Sequence, residues 1–536
     1  MLGAGLALGL LGPATAALAG PSPQRTVRVR LAAAGSPNGP SAEPALSADG
    51  RRVAFTSAAT NLTPQEDANG AIPDVFVYDQ GTGGVELASA GPAGEPANAS
   101  SDQPVLDADG SHLAFASRAS NLVAADRNRF SDVFVLAPEA GLVRASVTRT
   151  GQEADGPSLQ PDLSADGRLL VFTSTADNLV TGDTNGASDV FVRDMVTGVI
   201  ALVSAGRRHE PADGDSSAPA ISADGRFVSF SSDAPNLVAG DDNGRQDVFV
   251  RGLATGRTRL ISVARGGGGQ NAARPGGREL VCDVSGDGRF VVFESDATNL
   301  AGRDRNHRTD IFVRDTVAQS TRRVSLSTTN EEAGGASFLP TITPDGRFVA
   351  FTSSADDLVA EDARGRDVFV REVARETTVL ADVTARGRLR SGEIAAPPPG
   401  RPSLSADGAT AAFTSSASNF VGADHNRAAD VFLRRLTPAA SATAERRVGL
   451  VRGRLLIVFR SGDRAPSPLQ CRLDGGPPTL CPLGGLLLPK LGRGTHVLRA
   501  LAGAPGAQYA GTPIVIRMKI GKGRPRVRVH NPGDGL

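Results

Sequence analysis

Between Pro161 and Ser204 the chain reads PDLSADGRLLVFTSTADNLVTGDTNGASDVFVRDMVTGVIALVS. From Pro219 to Ser262 it reads PAISADGRFVSFSSDAPNLVAGDDNGRQDVFVRGLATGRTRLIS, the same text with small changes. The Asp-Gly pair inside this text recurs at Asp49, Asp109, Asp166, Asp224, Asp287, Asp345 and Asp407, at intervals of 60, 57, 58, 63, 58 and 62 residues. Self-similarity at a fixed period is the signature of a repeat architecture, and here it occurs seven times.

Each copy divides into four short predicted strands. The first is the PxLS segment. Asp-Gly follows and predicts a two-residue hairpin turn with both central residues at positive φ. The second strand is RxVxF, as in Phe227, Val228 and Phe230, and the third is DVFV, as in Val248, Phe249 and Val250. Thr197-Gly198 and Thr255-Gly256 mark the next turn, before the LxS strand. Strands two and three are apolar on both faces, as strands covered on both sides are. The blades of a propeller pack face to face and bury their strands in that way.

The ends of the repeat region complement each other. The seventh copy stops after Asp430-Val431-Phe432-Leu433 and runs into LTPAASATA, with no fourth strand. Ahead of the first copy, TVRVRLAAAG at Thr26–Gly35 matches a fourth strand and its loop. Residues 26–33 are therefore expected to complete blade seven and remove its exposed edge. A linear solenoid would not need such a pair of ends. The expected fold class is all-β: a seven-bladed β-propeller followed by a small β-sandwich.

The SxDGRxVxFxS…DVFVRD…TG text resembles the TolB-like β-propeller repeat family, relatives of the WD-repeat propellers. The resemblance covers residues 26–437 and speaks to fold more than to function. The family's namesake has six blades and an N-terminal α/β domain, whereas this chain has seven copies and no such domain, so its envelope role is not carried over. Residues 438–447 read as a linker. Over 448–520 the text CRLDGGPPTLCP…GTHVLRALA resembles Ig-like modules of bacterial surface proteins, which implies a spacer or accessory sandwich with Cys471 and Cys481 clipping a hairpin. The end, 521–536, reads as a flexible basic tail.

With 57 basic and 57 acidic residues, the chain has no basic excess for nucleic acid or a polybasic membrane surface. Residues 1–20, MLGAGLALGLLGPATAALAG, read as a signal peptide with Ala17-Leu18-Ala19 at its cleavage end, although no Lys or Arg precedes the apolar run. The stretch is short for a membrane span, and no later one is long and apolar enough. A secreted, periplasmic or cell-surface location is expected, with the protein a monomer. In an exported protein Cys471 and Cys481 are a natural disulfide, while Cys282, alone in an inner strand, reads as a buried small hydrophobe.

In a four-stranded blade, the two-to-three and four-to-one connections share one face. Here both are long while the other turns are short, and long loops on a rigid scaffold are where binding usually resides. The two-to-three loop carries Asp-x-Asn-x-x-x-Asp: Asp126, Asn128, Asp132; Asp183, Asn185, Asp189; Asp241, Asn243, Asp247; Asp304, Asn306, Asp310; and Asp424, Asn426, Asp430. Blade one is a residue longer, with Asp67, Asn69 and Asp74; blade six is one shorter, with Arg364 in place of the Asn. Carboxylate and amide oxygens in a tight loop suit Ca²⁺, which needs six to eight oxygens, of which three per loop are in view. The competing reading is structural: Asp and Asn cap their own turns. The six His are dispersed, and no Gly-x-Ser-x-Gly or P-loop text occurs.

These features point to an exported, non-catalytic propeller binding a protein or glycan through its long-loop face, with Ca²⁺ as a stabilising ion and no other cofactor. A glycan lyase or hydrolase with its site in the central funnel is the rival. A periplasmic partner of an envelope complex, by the TolB-like resemblance, is a third reading.

Overall fold

The computed structural model describes residues 26–28, 37–63, 69–271, 280–359, 365–383, 400–420, 426 and 428–436, and, towards the C-terminus, 442–451, 454–461, 469–474, 479–481, 486–487, 494–502, 514–520 and 526–530. In the C-terminal part, side chains are described at 473–474 and 495–498. The signal-peptide segment lies outside the described residues.

Seven four-stranded antiparallel sheets form the propeller. In blade three, strand a is Ser158–Leu163, b Leu169–Ser174, c Asp189–Asp194 and d Ile200–Leu202. Blades one, two, four, five and six repeat this order, and the described residues contain no helix. Blade seven is completed across the chain ends. Its strand a is Ser403–Leu404, b Thr410–Ser415 and c Asp430–Arg435, and its outer strand is Thr26–Arg28. Thr26, Val27 and Arg28 pair antiparallel with Arg434, Leu433 and Phe432.

Apolar residues of strands b and c fill the space between blades. Ala114, Val133 and Val135 of blade two, for example, pack with Leu163, Leu170 and Phe172 of blade three. The repeating Phe residues form one stacked pair per blade across strands b and c, such as Phe172–Phe191 and Phe413–Phe432, with ring centroids 5.8–6.0 Å apart. Offset stacking of this kind adds to plain area burial.

The Asp-Gly turn differs from the sequence-based expectation. Only its glycine is left-handed, with φ of 67–73° in all seven copies, and none of the seven Asp residues has positive φ. In blade three the turn is a hydrogen-bonded Ser-Ala-Asp-Gly loop, with Gly167 N–H on Ser164 O at 2.9 Å. Ser164 Oγ donates to Asp166 Oδ1 at 2.6 Å, and that oxygen also takes the Arg168 amide. The Asp acts as a local cap, so it needs no left-handed backbone.

The residue before each turn Asp builds the ring's axis. Ala48 N–H donates to Ala108 O, Ala108 to Ala165 O, Ala165 to Ala223 O, Gly286 to Pro344 O and Ala406 to Ala48 O, at 2.7–3.1 Å. Between blades four and five the donor is Asp224 N–H, to Gly286 O. Pro344 has no N–H, so the chain of bonds skips the step from blade six to seven. The ring is tight: a Cβ at Gly286 would lie 3.1 Å from Pro344 Cβ.

C-terminal to the propeller, Ala442–Val451, Arg454–Ser461 and Leu486–Leu487 form one antiparallel sheet. Thr479–Cys481, Leu469–Leu473, Gly494–Ala502, Ile514–Ile520 and Arg526–His530 form another. Strand pairing therefore begins at Ala442, inside the expected linker, and reaches Arg526–His530, inside the expected tail; the alternating RVRVH text there has β-propensity that composition alone hides. Cys471 lies opposite Thr479 and Cys481 opposite Leu469 on adjacent strands; the cysteine side chains lie outside the described residues. Asp474 of the Asp-Gly-Gly turn accepts the Val497 amide at 2.8 Å and contacts His496 Nδ1 at 2.6 Å.

Candidate functional site

The acidic loops end at strand c, whose first residue is the last Asp of the motif. That Asp is deeply buried in every blade: Asp74, Asp132, Asp189, Asp247, Asp310, Asp367 and Asp430 are at most 1% exposed. In blade two its Oδ1 accepts from Ser146 Oγ at 2.5 Å, and Ser146 Oγ in turn accepts the Val133 amide at 3.0 Å. Ser89, Ser204, Ser262 and Ser325 donate to the Asp in the same way. The Ser of the LxS text is thus the Asp's partner across strands c and d. Blade six replaces it with Asp382, which accepts the Val368 amide.

The Asn of the motif holds the loop to the next blade's entry. Asn185 Nδ2 donates to Asp189 Oδ2 at 2.6 Å and to Ala212 O at 2.9 Å, while its Oδ1 accepts the Ala187 amide at 2.9 Å. Asn128, Asn243 and Asn426 make the same bonds to Asp132, Asp247 and Asp430; Asn306 bonds Ala333 O. The amide oxygen considered as a metal ligand therefore caps its own turn in these blades. Asp424, like Asp67 and His425, lies outside the described residues.

Burial pushes the carboxyls of Asp132, Asp189, Asp247 and Asp310 up. Asp189 and Asp247 rise to about 6, and Asp310 to about 7, despite hydrogen bonds that favour their charged forms. Sequence reasoning missed the arginines that answer this charge in some blades. Arg144 Nη1 lies 3.1 Å from Asp126, 3.5 Å from Asp132 and 2.7 Å from Glu153. Arg323 pairs with Asp310 at 3.2 Å and with Glu332, and Arg28 with Asp430 at 3.2 Å. The signal was in the repeat: Arg replaces Leu in the LxS text of these copies.

A second polar region lines the central channel. In strand a, a bulge puts Glu43, Gln103, Gln160, Ala218 and Leu339 at φ of 50–55°, each followed by Pro. A bulge re-aims side chains. Glu43 Oε2 accepts the Gln103 amide at 2.9 Å, Gln103 Oε1 the Gln160 amide at 2.8 Å, and Gln160 Oε1 the Ala218 amide at 3.0 Å. Glu294 takes over between blades five and six, accepting the Leu339 amide at 2.8 Å. The left-handed amides of Gln103, Gln160, Ala218 and Leu339 are thus held by the preceding blade.

Deeper along strand a, Asp162 accepts the Ile221 amide and Asp283 the Ile342 amide, at 2.8 and 2.9 Å. Arg401 bridges to Asp283 at 3.0 Å and to Pro340 O at 2.7 Å. Burial pushes Asp162 up to about 7, with Asp283 adding to the rise and Arg401 opposing it. Asp102, beside Glu43, rises to about 6, chiefly through burial. Cys282 is 1% exposed, and burial pushes its thiol up to about 12, as expected of an inert structural cysteine.

A cleft of about 870 Å³ lies along the outer strand of blade four, next to blade five. Arg207, His209, Arg257, Arg259 and Arg314 line it. Among the described residues none of these four arginines has a carboxylate partner, and Arg207, His209, Arg257 and Arg259 are exposed. Arg314 belongs to the DVFVR text. Its equivalents Arg193, Arg251 and Arg371 each cap a carbonyl of the preceding blade's exit loop, at 2.7, 2.9 and 3.1 Å. Arg314 instead bonds Thr321 Oγ1 at 3.0 Å and faces the cleft.

No known family profile matches the chain, and no curated protein matches it in sequence. Among solved structures it is similar to TolB from Acinetobacter baumannii, with 13% identity, 74% of this chain and 80% of that one covered, and a TM-score of 0.35. For oligogalacturonate lyase from Vibrio parahaemolyticus the values are 12%, 77%, 93% and 0.46. For the β-propeller domain of the Trilobed protease from Pyrococcus furiosus they are 10%, 74%, 93% and 0.43. The likeness is to TolB-like β-propeller folds and extends no further than the fold.

Proposed function

We propose that this protein is a binding propeller that takes an anionic ligand, an acidic glycan or an acidic protein surface, in a cleft along the outer edge of blade four that reaches the long loops. The observation that carries this reading is the cleft beside blade four, where exposed Arg207, Arg257 and Arg259 join half-buried Arg314, none of them in an ion pair with a carboxylate among the described residues. Such an array desolvates favourably only against negative charge, and guanidinium forks match carboxylate and sulfate geometry. Part of the cleft wall, Gly206–His209 and Leu237–Gly240, comes from the long loops. Within this proposal the protein is exported by residues 1–20, works as a monomer outside the cytoplasm, and does not engage nucleic acid. Residues 448–520 serve as an Ig-like sandwich spacer, clipped by a Cys471–Cys481 disulfide.

The test is a glycan-array and pull-down screen with the purified full chain, repeated with Arg207→Ala/Arg257→Ala/Arg259→Ala. Binding to acidic ligands at least tenfold weaker in the variant, a loss of about 1.4 kcal/mol or more, is expected. Equal binding by both proteins, or a preference for neutral glycans, overturns the reading. A second reading, a glycan-active enzyme working in the channel, is favoured by Asp102 beside Glu43 and by the Asp162–Asp283–Arg401 cluster. Turnover of an acidic polysaccharide that is lost in Asp102→Asn would select it.

A further inference from the structure

The seven blades form an internal comparison of one pocket. At the strand-d position opposite the strand-c Phe, blades two, five and seven carry Arg144, Arg323 and Arg28. Blades one, three, four and six carry Leu87, Leu202, Leu260 and Leu380 there. Where the Arg is present in blades two and five, the loop into the next blade supplies a Glu, Glu153 or Glu332, bonded to it. In blade three the equivalent of that Glu is Pro211. The carboxylates remain in both settings. A guanidinium therefore marks where the fold places positive charge, and blade three has lost it while keeping the acids.

Blade three also gathers further acids around its pocket. Asp183 and Asp189 are 5% and 1% exposed, and Asp155, Asp177 and Asp215 lie close enough to act on them electrostatically. Burial and the neighbouring Asp189, Asp177 and Asp155 push Asp183 up to about 7. Asp183 Oδ1 is buried without a hydrogen-bond partner. A buried carboxylate oxygen left unpaired is strongly unfavourable, and either a proton or a bound cation relieves it. In blade four, which also lacks the Arg, Asp241 and Asp247 have no such orphaned oxygen. In blade five Asp304, Asp310 and Glu332 have oxygens within 4.8 Å of one another, but Arg323 already lies against Asp310 and Glu332.

We propose that blade three binds one divalent cation between Asp183 and Asp189, where the arginine guanidinium sits in blades two and five. The donors are hard carboxylate oxygens, the chemistry of Ca²⁺, with loop carbonyls and water completing the shell. Asn185 positions Asp189 and is not a ligand. This site is independent of the anion-binding cleft, so neither proposal stands or falls with the other.

The experiment is calorimetric titration of Ca²⁺ alone into the EDTA-treated full chain, with melting temperature measured alongside. One Ca²⁺ per chain and a Ca²⁺-dependent rise in Tm are expected. Asp183→Asn is expected to weaken binding at least tenfold. Leu202→Arg/Pro211→Glu, which installs the pair of blade two, is expected to remove Ca²⁺ binding while keeping the EDTA-state Tm at or above that of the native chain. This second variant keeps the test decisive if Asp183→Asn does not fold. No binding at millimolar Ca²⁺, or unchanged affinity in Leu202→Arg/Pro211→Glu, overturns the proposal.

Discussion

Asp162 shows how much one channel residue depends on its surroundings. It accepts the amides of Ile221 and Leu163, yet burial and Asp283 push it up to about 7, from an unfolded value near 3.8. A carboxyl whose folded pKa is raised contributes stability that is complete below the unfolded value and lost as pH rises through the folded one. The native chain should therefore lose stability between pH 5 and pH 7 by an increment that Asp162→Asn lacks. At about 1.4 kcal/mol per unit, this amounts to about 2 kcal/mol. Urea unfolding of both proteins at pH 5 and pH 8 reads it. An equal gap between the two proteins at both pH values would refute the assignment. Asn at this position keeps a carbonyl for Ile221 N–H but loses the acceptor for Leu163 N–H, a loss that does not vary with pH and so cancels between the two pH values.

At the scale of the element, the three-residue strand Thr26–Arg28 determines whether blade seven has an outer edge. Its pairing with Asp430–Arg435 and the Arg28–Asp430 bridge join residues about four hundred positions apart. Removing residues 26–28 is expected to expose the 430–435 edge. Hydrogen exchange should then accelerate in that strand and leave Asp247–Gly252 of blade four unchanged. Uniform acceleration in both strands would mean that the ring melts as one unit rather than opening at the splice. The splice was legible in the sequence, because an unfinished repeat at one end and a spare strand at the other are visible in the text; the strand boundaries were less so, since strand a of blade three begins at Ser158, ahead of its PxLS text. The geometry of the Asp-Gly turn was not: the same dipeptide suits several turn types, and the Ser164–Asp166 cap decides between them only once the loop is closed.

For the whole molecule, closure is uneven. Blade seven has a two-residue inner strand, where blades one, two, three, four and six have a six-residue inner strand. Pro344 also withholds the axial hydrogen bond on its blade-six side. Local stability follows such contacts, so native-state hydrogen exchange should find blade seven the least protected and blades two to four the most. Equal protection in all seven blades would show that closure distributes the strain.

The repeat period, the strand pattern, the seven-fold count and the complementary ends were determined by the sequence alone, because hydrophobic periodicity and turn residues are local properties that repetition amplifies. The acidic loops were visible too, but only the tertiary structure decided what each one meets. Whether Asp132 faces Arg144, or Asp183 has Leu202 where that arginine would stand, depends on strand d and on the loop into the next blade, which the fold brings together from distant positions. The arginines beside blade four, held on separate loops and strands, likewise become a site only when the ring closes. Charge and burial are properties of a neighbourhood, and a neighbourhood exists only in the folded chain.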